Sequence, residues 1–420
     1  MKYNKWTVAL AALGVVSFAS AAKAEEKASP VMTALSSTTI SGYVDTSAEW
    51  NFGTGNANLP PYKFGGAGKA DGFNLDVVQL RIDKPLDEGD WAAGYRADFW
   101  FGPDANTLGT TSTGMTMGNG SDFAIRQAYV ALRAPVGTGL DFKMGVFDSI
   151  IGYESVEAGN NPNFTRSYGH SIEPQTETGL LASYRFCDMF SASVGVADTV
   201  GPVINDRAFA PMNAAVPYAE SYKTYMGSVA LTAPDSMGFL SGSTLYAGIV
   251  NGFNDNGLQA FNTQSSVSTS YYVGATVATP VTGLRLGASF DLLDVAQAAN
   301  NDWSFAGYLS YQATEKLSFH ARAEYFKDKM NNPLGQSGHE ILFGNTYVNG
   351  TQVAIAGDGA QVMSLTGTVQ YDLWKNVISR LELRWDHSLA GNALFGVNSA
   401  GTMADAQNAV MLSANVIYKF

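Results

Sequence analysis

The sequence predicts an all-β chain that folds as a transmembrane, up-and-down antiparallel β-barrel of about sixteen strands, with about 14 or 18 strands as the alternatives. Three observations predict this fold. Apolar and polar residues alternate with a period of two in runs of about ten to fourteen residues. Short and long connections alternate between these runs, and aromatic residues gather at the ends of the runs rather than at their centres.

The amino terminus has the three parts of a secretory signal peptide. Lys2 and Lys5 precede a small-apolar run that ends at Ala22, and an A-x-A cleavage site ends at Ala24. The alternative is a first transmembrane helix, but the run is short for a span and no stop-transfer pattern follows it. We therefore expect a signal peptide at 1–24, a short periplasmic lead-in at 25–37 and a barrel at 38–420.

Composition limits the classes of function. The formal net charge is −12 at pH 7, which argues against binding of nucleic acid through its phosphates. Cys187 is the only cysteine, so the expected exported chain does without disulfides. Only 15% of residues are charged, whereas Tyr, Phe and Trp number 20, 23 and 7. This balance suits a chain whose apolar residues face something other than a core.

Sixteen runs show the alternation. In the first run, Ile40, Trp50 and Phe52 share one face, and Asp45 and Glu49 share the other. The expected strands lie at about 38–52, 72–84, 90–101, 122–134, 139–147, 176–187, 189–200, 220–233, 241–253, 268–280, 283–294, 302–314, 317–327, 360–373, 376–388 and 407–420.

The connections and the aromatic residues separate the two ends of the predicted barrel. Short turns such as "PLDEG" and "TEK" follow the even-numbered runs, as in membrane barrels. Aromatic residues such as Trp385 and Trp374 lie at the strand ends, where the interfaces of a bilayer select them. A soluble β-sandwich or propeller is the alternative, but these strands are long for it. Long connections follow odd-numbered runs, at 53–71, 102–121, 148–175, 201–219, 254–267 and 328–359.

The chain ends on the alternating segment "SANVIYKF". In a closed barrel the last strand pairs with the first, because an open edge would leave backbone groups unsatisfied in lipid. We therefore expect 407–420 to pair with 38–52, and Phe420 to lie in the aromatic belt at the short-turn end.

Several segments resemble a known family. "TTISGYVDTSAEWNF", "LRIDKPL", "IRQAYVALRAPVG" and "GLDFKMGVFDSIIGYES", within about 38–155, resemble the β-barrel porins of the outer-membrane-protein-L-like group of Gram-negative bacteria. The rest of the chain is similar only in pattern. The resemblance implies a porin fold in outer-membrane lipid, a terminal Phe420 that the barrel assembly machinery reads, and a third loop that folds inward. The resemblance also implies a homotrimer as one candidate for the oligomeric state.

The expected functional site is the charged inner wall of the barrel. So many charges do not suit a dry core, because unpaired buried charges are costly, and a barrel of about sixteen strands leaves an aqueous channel. The alternative is that these residues form wall salt bridges that only stabilise the barrel. The residues expected to line the pore are Arg81, Arg96, Asp98, Arg285, Asp291, Arg322, Glu324, Arg380, Glu382 and Arg384.

The third long loop, 148–175, is the expected constriction by resemblance. Its acidic residues, facing wall arginines across the pore, would set a transverse field and favour cations mildly. Three alternatives stay open: the loop is a solvated surface loop, loop 328–359 is the plug instead, or wall arginines without partners make the pore prefer anions. The constriction residues expected are Glu154, Glu157, Arg166 and Glu173.

Enzyme motifs are incomplete. "HEILF" lacks the second His of H-E-x-x-H, "GGAGKAD" lacks the upstream P-loop glycine, and no G-x-S-x-G occurs. We therefore expect no catalysis, cofactor or metal, and predict a passive diffusion channel for small hydrophilic solutes or ions in the bacterial outer membrane. The alternative from another class is a surface structural or adhesion barrel whose long loops bind partners.

Overall fold

The computed structural model is a closed barrel of sixteen antiparallel strands, each paired with its neighbours in sequence. The count of sixteen is confirmed, and the alternatives of 14 and 18 are excluded. The predicted signal peptide, most of the lead-in and most of loop 328–359 lie outside the described residues. The structure describes residues 31–32, 37–60, 64–65, 69–108, 110, 122–208, 221–253, 267–295, 301–328, 345–348, 351–354, 360–389, 391, 393–400 and 404–420.

The barrel strands are numbered along the chain. They are β1 (Thr39–Phe52), β2 (Gly72–Lys84), β3 (Ala92–Phe101), β4 (Phe123–Ala134), β5 (Leu140–Asp148), β6 (Thr176–Arg185), β7 (Phe190–Ala197), β8 (Thr224–Thr232), β9 (Thr244–Phe253), β10 (Val267–Ala278), β11 (Leu284–Val295), β12 (Asn301–Gln312), β13 (Leu317–Asp328), β14 (Ala360–Trp374), β15 (Val377–Ser388) and β16 (Asn408–Lys419).

Short elements accompany the barrel. The strand Val31–Met32 pairs with β1, and Asn345–Val348 pairs with Thr351–Ala354 as a separate hairpin. The helices are α1 (Pro103–Leu108) and α2 (Tyr168–Ile172), with 3₁₀ turns at Ala158–Asn160 and Asp235–Leu240. The last of these turns lies between β8 and β9, where the sequence predicts a shorter connection. In the described part of the chain, no helix has both the length and the apolarity needed to cross a bilayer.

The strands alternate as the sequence predicts, because successive side chains of a strand point to opposite faces of the sheet. On β15, Leu383 is 54% exposed on the outer face, whereas its neighbour Arg384 is fully buried inside. On β13, Ala321 is exposed and Arg322 is buried in the same way. The charged face of the sheet therefore lines the interior.

Two of the three register shifts between the described strands bring an extra side chain into the interior. Asp98 pairs with Gln127 and Phe99 with Ile125, so Arg126 is the extra residue on β4. A second bulge, opposite Asp45 and Thr46, makes Asp76 the extra residue on β2. Because a bulge turns the extra side chain out of the simple alternation, both Arg126 and Asp76 are buried in the interior.

The carboxyl terminus closes the barrel. Strand β16 pairs with β1 along ten residues from Val410 to Lys419, as predicted. Phe420 continues the ladder, because its N–H donates to the carbonyl of Gly42 at 2.9 Å and its carbonyl accepts from the N–H of Gly42 at 3.0 Å. The Phe420 ring stays exposed on the outer face.

Aromatic side chains are exposed on the outer surface at both ends of the strands. Phe73 and Tyr271 lie at the end with long loops, and Trp91 and Trp374 lie at the end with short turns. The arrangement matches the two belts that the sequence predicts. Such belts mark the two interfaces of a bilayer.

Candidate functional site

The segment between β5 and β6, residues 149–175 (loop 3), lies inside the barrel. Its side chains are buried against strands that are far away in sequence; Ile150, Tyr153, Arg166 and His170 are all at most 4% exposed. The structure therefore differs from a solvated surface loop, which was one alternative from the sequence. Three groups of contacts hold most of loop 3 on the inner wall, and a carboxyl pair with Asp291 holds its end.

The first contact is apolar. The Tyr153 ring stacks on the Tyr308 ring of β12, with 4.1 Å between their centroids. Its hydroxyl lies 3.2 Å from the hydroxyl of Thr276 on β10. The hydroxyl of Tyr246, on β9, donates to the carbonyl of Ile150. The beginning of loop 3 is thus held on the β9–β12 wall.

The second contact is ionic and involves β13 and β15. Arg322 donates to Glu154 of loop 3 at 2.8 Å and to Glu324 on its own strand at 2.6 Å. Arg384 donates to the carbonyl of Arg166 at 2.7 Å and forms a salt bridge with Asp386 at 3.0 Å. These predicted pore-lining residues face the interior, but loop 3 covers them, so each meets protein rather than open water.

Glu382 extends the second contact through the loop backbone. Its carboxylate accepts hydrogen bonds from the N–H of Phe164 at 2.6 Å, and from the N–H and hydroxyl of Thr165 at 2.9 and 2.6 Å. Arg380 donates to the carbonyls of Ala158 at 2.9 Å and Asn163 at 3.3 Å. On β15, the carboxylate of Glu382 thus binds hydrogen-bond donors of loop 3, and the guanidinium of Arg380 binds carbonyl acceptors of loop 3.

The third contact joins loop 3 to β2, β3 and β4. Asp98 accepts from Arg81 at 2.8 Å and from Arg126 at 2.9 Å, and Glu157 of loop 3 contacts both arginines. Burial raises the pKa of Glu157, but the guanidinium groups of Arg81 and Arg126 outweigh it and hold this pKa well below its usual range. Glu157 is therefore a half-buried carboxylate that stays ionised.

Glu173, near the end of loop 3, has the opposite environment. The carboxyl of Glu173 shares a hydrogen bond with the carboxyl of Asp291 on β11. Nδ1 of His170 lies 3.4 Å from a carboxyl oxygen of Glu173. Burial, followed by the charge of Asp291, raises the pKa of Glu173 well above its usual range. This pair is stable when it shares a proton.

Arg166 braces loop 3 from within. Its guanidinium donates to the backbone carbonyls of Ser155 at 3.0 Å, Val156 at 2.8 Å and Phe164 at 2.9 Å. Burial lowers the pKa of Arg166. The sequence predicts Arg166 as a charged group that faces the constriction. In the structure, Arg166 instead fixes the shape of loop 3 through its backbone carbonyls.

The predicted transverse field needs correction. The sequence expectation was that loop carboxylates would face Arg81, Arg96 and Arg322 across the pore. Instead Glu154 and Glu157 touch arginines directly, and opposite charges in contact leave little field for a passing ion. Arg96 pairs with Asp83 of β2 at 2.9 Å and acts on Glu157 of loop 3 only through its charge, which helps to lower the pKa of Glu157.

Sequence reasoning missed Arg126, Asp76 and Lys69. The first two are bulge residues, which strict alternation assigns to the outer face. Lys69 lies in the loop after β1, where its ammonium contacts Asp76 at 2.7 Å and Asp104 of α1 at 2.5 Å. The only sign of this role in the sequence is that Lys69 is a basic residue just before β2, a strand that contains acidic residues. A cavity of about 20 Å³ beside it is lined by Asp45, Glu49, Lys69, Asp104 and Arg166, among others.

On the short-turn side of loop 3, the inner wall keeps partial contact with solvent. We call this part of the lumen the vestibule; it is lined by the half-buried residues Tyr129, Lys143, Arg285, His320 and Gln370. Its wall is mostly polar, as expected for a part of the passage that holds water. Across the described residues, no group of three or more His, Cys, Asp or Glu side chains is placed to hold a metal ion.

Solved structures of outer-membrane channels share the fold at low identity. The anion-selective porin from Comamonas acidovorans is 13% identical, with a TM-score of 0.54 over 91% of this chain and 99% of that one. The channel DcaP of Acinetobacter baumannii is 11% identical, with a TM-score of 0.55 over 93% and 100%. OmpT of Vibrio cholerae, in a trimer form, is 11% identical, with a TM-score of 0.52 over 91% and 99%.

The search of curated proteins found no match. The family comparison, in contrast, covers the whole barrel, since its match runs over residues 37–420. The match agrees with the sixteen-stranded fold and with the resemblance in the first third of the chain. The chain belongs to the family described as "Putative beta-barrel porin-2, OmpL-like" and is an outer-membrane porin.

Proposed function

We propose that this porin passes small hydrophilic solutes and ions by passive diffusion, along a path that loop 3 narrows. The observation that carries the proposal is the placement of loop 3, which crosses the interior and is bound to β2–β4, β9–β12 and β13–β15. A loop held at three places restricts the width of the passage without blocking the polar vestibule. Of the ten predicted wall residues, all except Arg96 and Arg285 act in this proposal by holding the constriction, together with the four loop residues.

The family and the fold favour a channel over an enzyme, and the proposal needs no cofactor. Three finer parts of it rest on the sequence: cleavage of the signal peptide near Ala24, recognition of Phe420 by the barrel assembly machinery, and passive transport without a dedicated substrate. A homotrimer is also proposed, with support from the fold that the chain shares with OmpT in its trimer form. A surface structural or adhesion role is the second candidate.

Swelling of proteoliposomes tests the proposal. Vesicles containing the folded porin should swell quickly in a pentose, more slowly in a disaccharide, and hardly at all in a tetrasaccharide. The variant Glu382→Ala, which removes the acceptor for three loop donors, should admit larger sugars; Glu315→Ala, in an exposed turn, is the matched control. Vesicles as tight as protein-free ones, despite a correctly folded barrel, would favour the adhesion role.

A further inference from the structure

Most lumen-facing charges of the described wall that keep solvent contact are matched by a neighbour of opposite charge. Arg96 contacts Asp83 at 2.9 Å and Arg133 contacts Asp141 at 2.6 Å. Arg81 contacts both Asp98 and Glu157, as described above. Pairs of this kind present almost no net charge to a solute that passes them.

Lys143 and Arg285 differ from these pairs. Both are half-buried in the vestibule, and within the described chain neither has a carboxylate at ion-pair distance. The cross-strand neighbours of Lys143 are Ala131 and Leu181, and its ammonium lies 5.1 Å from the centre of the Tyr129 ring. Neither of these two neighbours carries a charge that could cancel that of Lys143.

Arg285 lies on the opposite part of the wall. Its neighbours across the strands are the uncharged Ala278 and Ser310, and it is close enough to Tyr153 of loop 3 for its positive charge to act on the Tyr153 hydroxyl. Strands β5 and β11 are six places apart in the ring of sixteen, so the two cations face each other across much of the vestibule. Arg285 therefore lies on the short-turn side of loop 3, within electrostatic reach of Tyr153.

The carboxylates nearest this region are either close to another cation or outside the passage. Asp372, at the end of β14, is close enough to the buried Arg380 for their charges to interact, and it accepts a hydrogen bond from Gln370 at 3.2 Å. Acidic residues of the short turns, such as Glu88 and Glu315, are exposed at the mouth, where salt screens them over about 8–10 Å. The carboxylates of loop 3 are buried in the contacts already described.

We infer that Lys143 and Arg285 form an anion-selective site in the vestibule, whose substrates are small anions such as chloride and short carboxylates. The inference rests on the proposed function and adds its substrate class. Two unpaired cations beside a narrow polar passage raise the local concentration of anions and lower that of cations. This anion preference replaces the mild cation preference that the sequence predicts on the expectation that the carboxylates of loop 3 face the pore.

Reversal potentials in planar bilayers test this site, with a tenfold KCl gradient whose dilute side is about 0.1 M. The wild-type channel should be more permeable to chloride than to potassium, by about threefold or more. The double variant Lys143→Glu with Arg285→Glu should prefer potassium, and the neutral pair Lys143→Gln with Arg285→Gln should lie between them. Lys316→Glu, the same charge change on an exposed turn, is the control and should keep the wild-type ratio.

The outcomes separate the two proposals. A wild-type barrel that folds but never conducts would overturn the proposed function and the anion site together. A wild-type channel that conducts but prefers potassium would overturn the anion site alone. The anion site alone would also be overturned if the glutamate and glutamine pairs both kept the wild-type preference, whatever the effect of Lys316→Glu.

Discussion

Arg126 lies at the centre of the charges that join loop 3 to the wall. It contacts Asp148 at 2.5 Å, Asp98 at 2.9 Å and Glu157 at 3.2 Å, and it is only 1% exposed. The variant Arg126→Ala would leave these carboxylates buried without their cation, so we expect a loss of about 3–5 kcal/mol in the free energy of unfolding. Urea titration of the wild-type and variant barrels in lipid vesicles measures this loss in the free energy of unfolding.

The control for this prediction is Arg185→Ala. Arg185 forms a salt bridge with Asp188, whose side chain is 87% exposed. A pair so close to water contributes about 0–1 kcal/mol, so this variant should remain near wild type. Equal losses for Arg126 and Arg185 would show that the buried charges of loop 3 do not hold the structure as described.

Glu173 and Glu157 give the docking of loop 3 a dependence on pH with two limbs. Because the pKa of Glu173 is raised when the loop is docked, its contribution is complete below the ordinary value of 4.5 and is lost as pH rises above it. The pKa of Glu157 is lowered, so its contribution is present above 4.5 and is lost as pH falls below it. Docking should therefore weaken on both sides of mildly acidic pH.

Hydrogen–deuterium exchange of peptides from 149–175, corrected for the intrinsic rate at each pH, measures these limbs. The variant Glu173→Gln should flatten the alkaline limb and leave the acidic limb in place. Asp291, Glu154 and His170 surround Glu173 and shape the curve. An alkaline limb that persists at full slope in Glu173→Gln would show that another group produces it.

At the scale of the strand, the outer face is tested by charge. Ala321 and Leu383 are exposed on the outer faces of β13 and β15, in the band that meets lipid. An Arg at either position should cost about 2–4 kcal/mol of barrel stability near the midplane of the bilayer. Glu315→Arg, in a turn outside that band, should cost little. The same cost at 315 as at 321 and 383 would contradict the assignment of the lipid face.

The alternation of apolar and polar residues predicts the outer, lipid-facing side of each strand, because the side-chain period of a strand is two. This prediction holds wherever the pairing of the strands is regular. It fails at Arg126 and Asp76, where a bulge inserts one residue and no local pattern in the sequence marks the insertion. It also suggests that an Arg at position 98 is tolerated, as an inward position. The structure corrects this, since Asp98 is fully buried between Arg81 and Arg126.

At the scale of the whole molecule, the sequence predicts the barrel but not the contacts inside it. Closure, strand count and the pairing of β16 with β1 follow from alternation and from the need to satisfy backbone groups in lipid. The bonds from Glu382 to Thr165 and from Arg322 to Glu154 join residues more than 150 positions apart. No spacing along the chain encodes such pairs, so the constriction could be placed by resemblance but its binding partners could not.

Orientation is tested on intact cells. The long loops should face the outside and the short turns the periplasm. External protease should therefore cut within 329–359, whereas loop 3 should resist, because its residues are buried inside the barrel. The sequence alone suggests that 148–175 is also a cutting site, and the structure revises that expectation. Cleavage confined to the turns "PLDEG" or "TEK" would contradict the orientation.

The central claim is that this barrel is a water-filled channel whose width loop 3 sets. Single-channel recording in planar bilayers tests it most directly, on the wild type and on a double variant, Tyr153→Ala with Glu382→Ala, that removes one apolar and one ionic anchor of the loop. We predict stepwise conductance for the wild type, and larger, noisier steps for the variant. A wild-type barrel without steps, or a variant whose conductance equals that of the wild type, would contradict the claim.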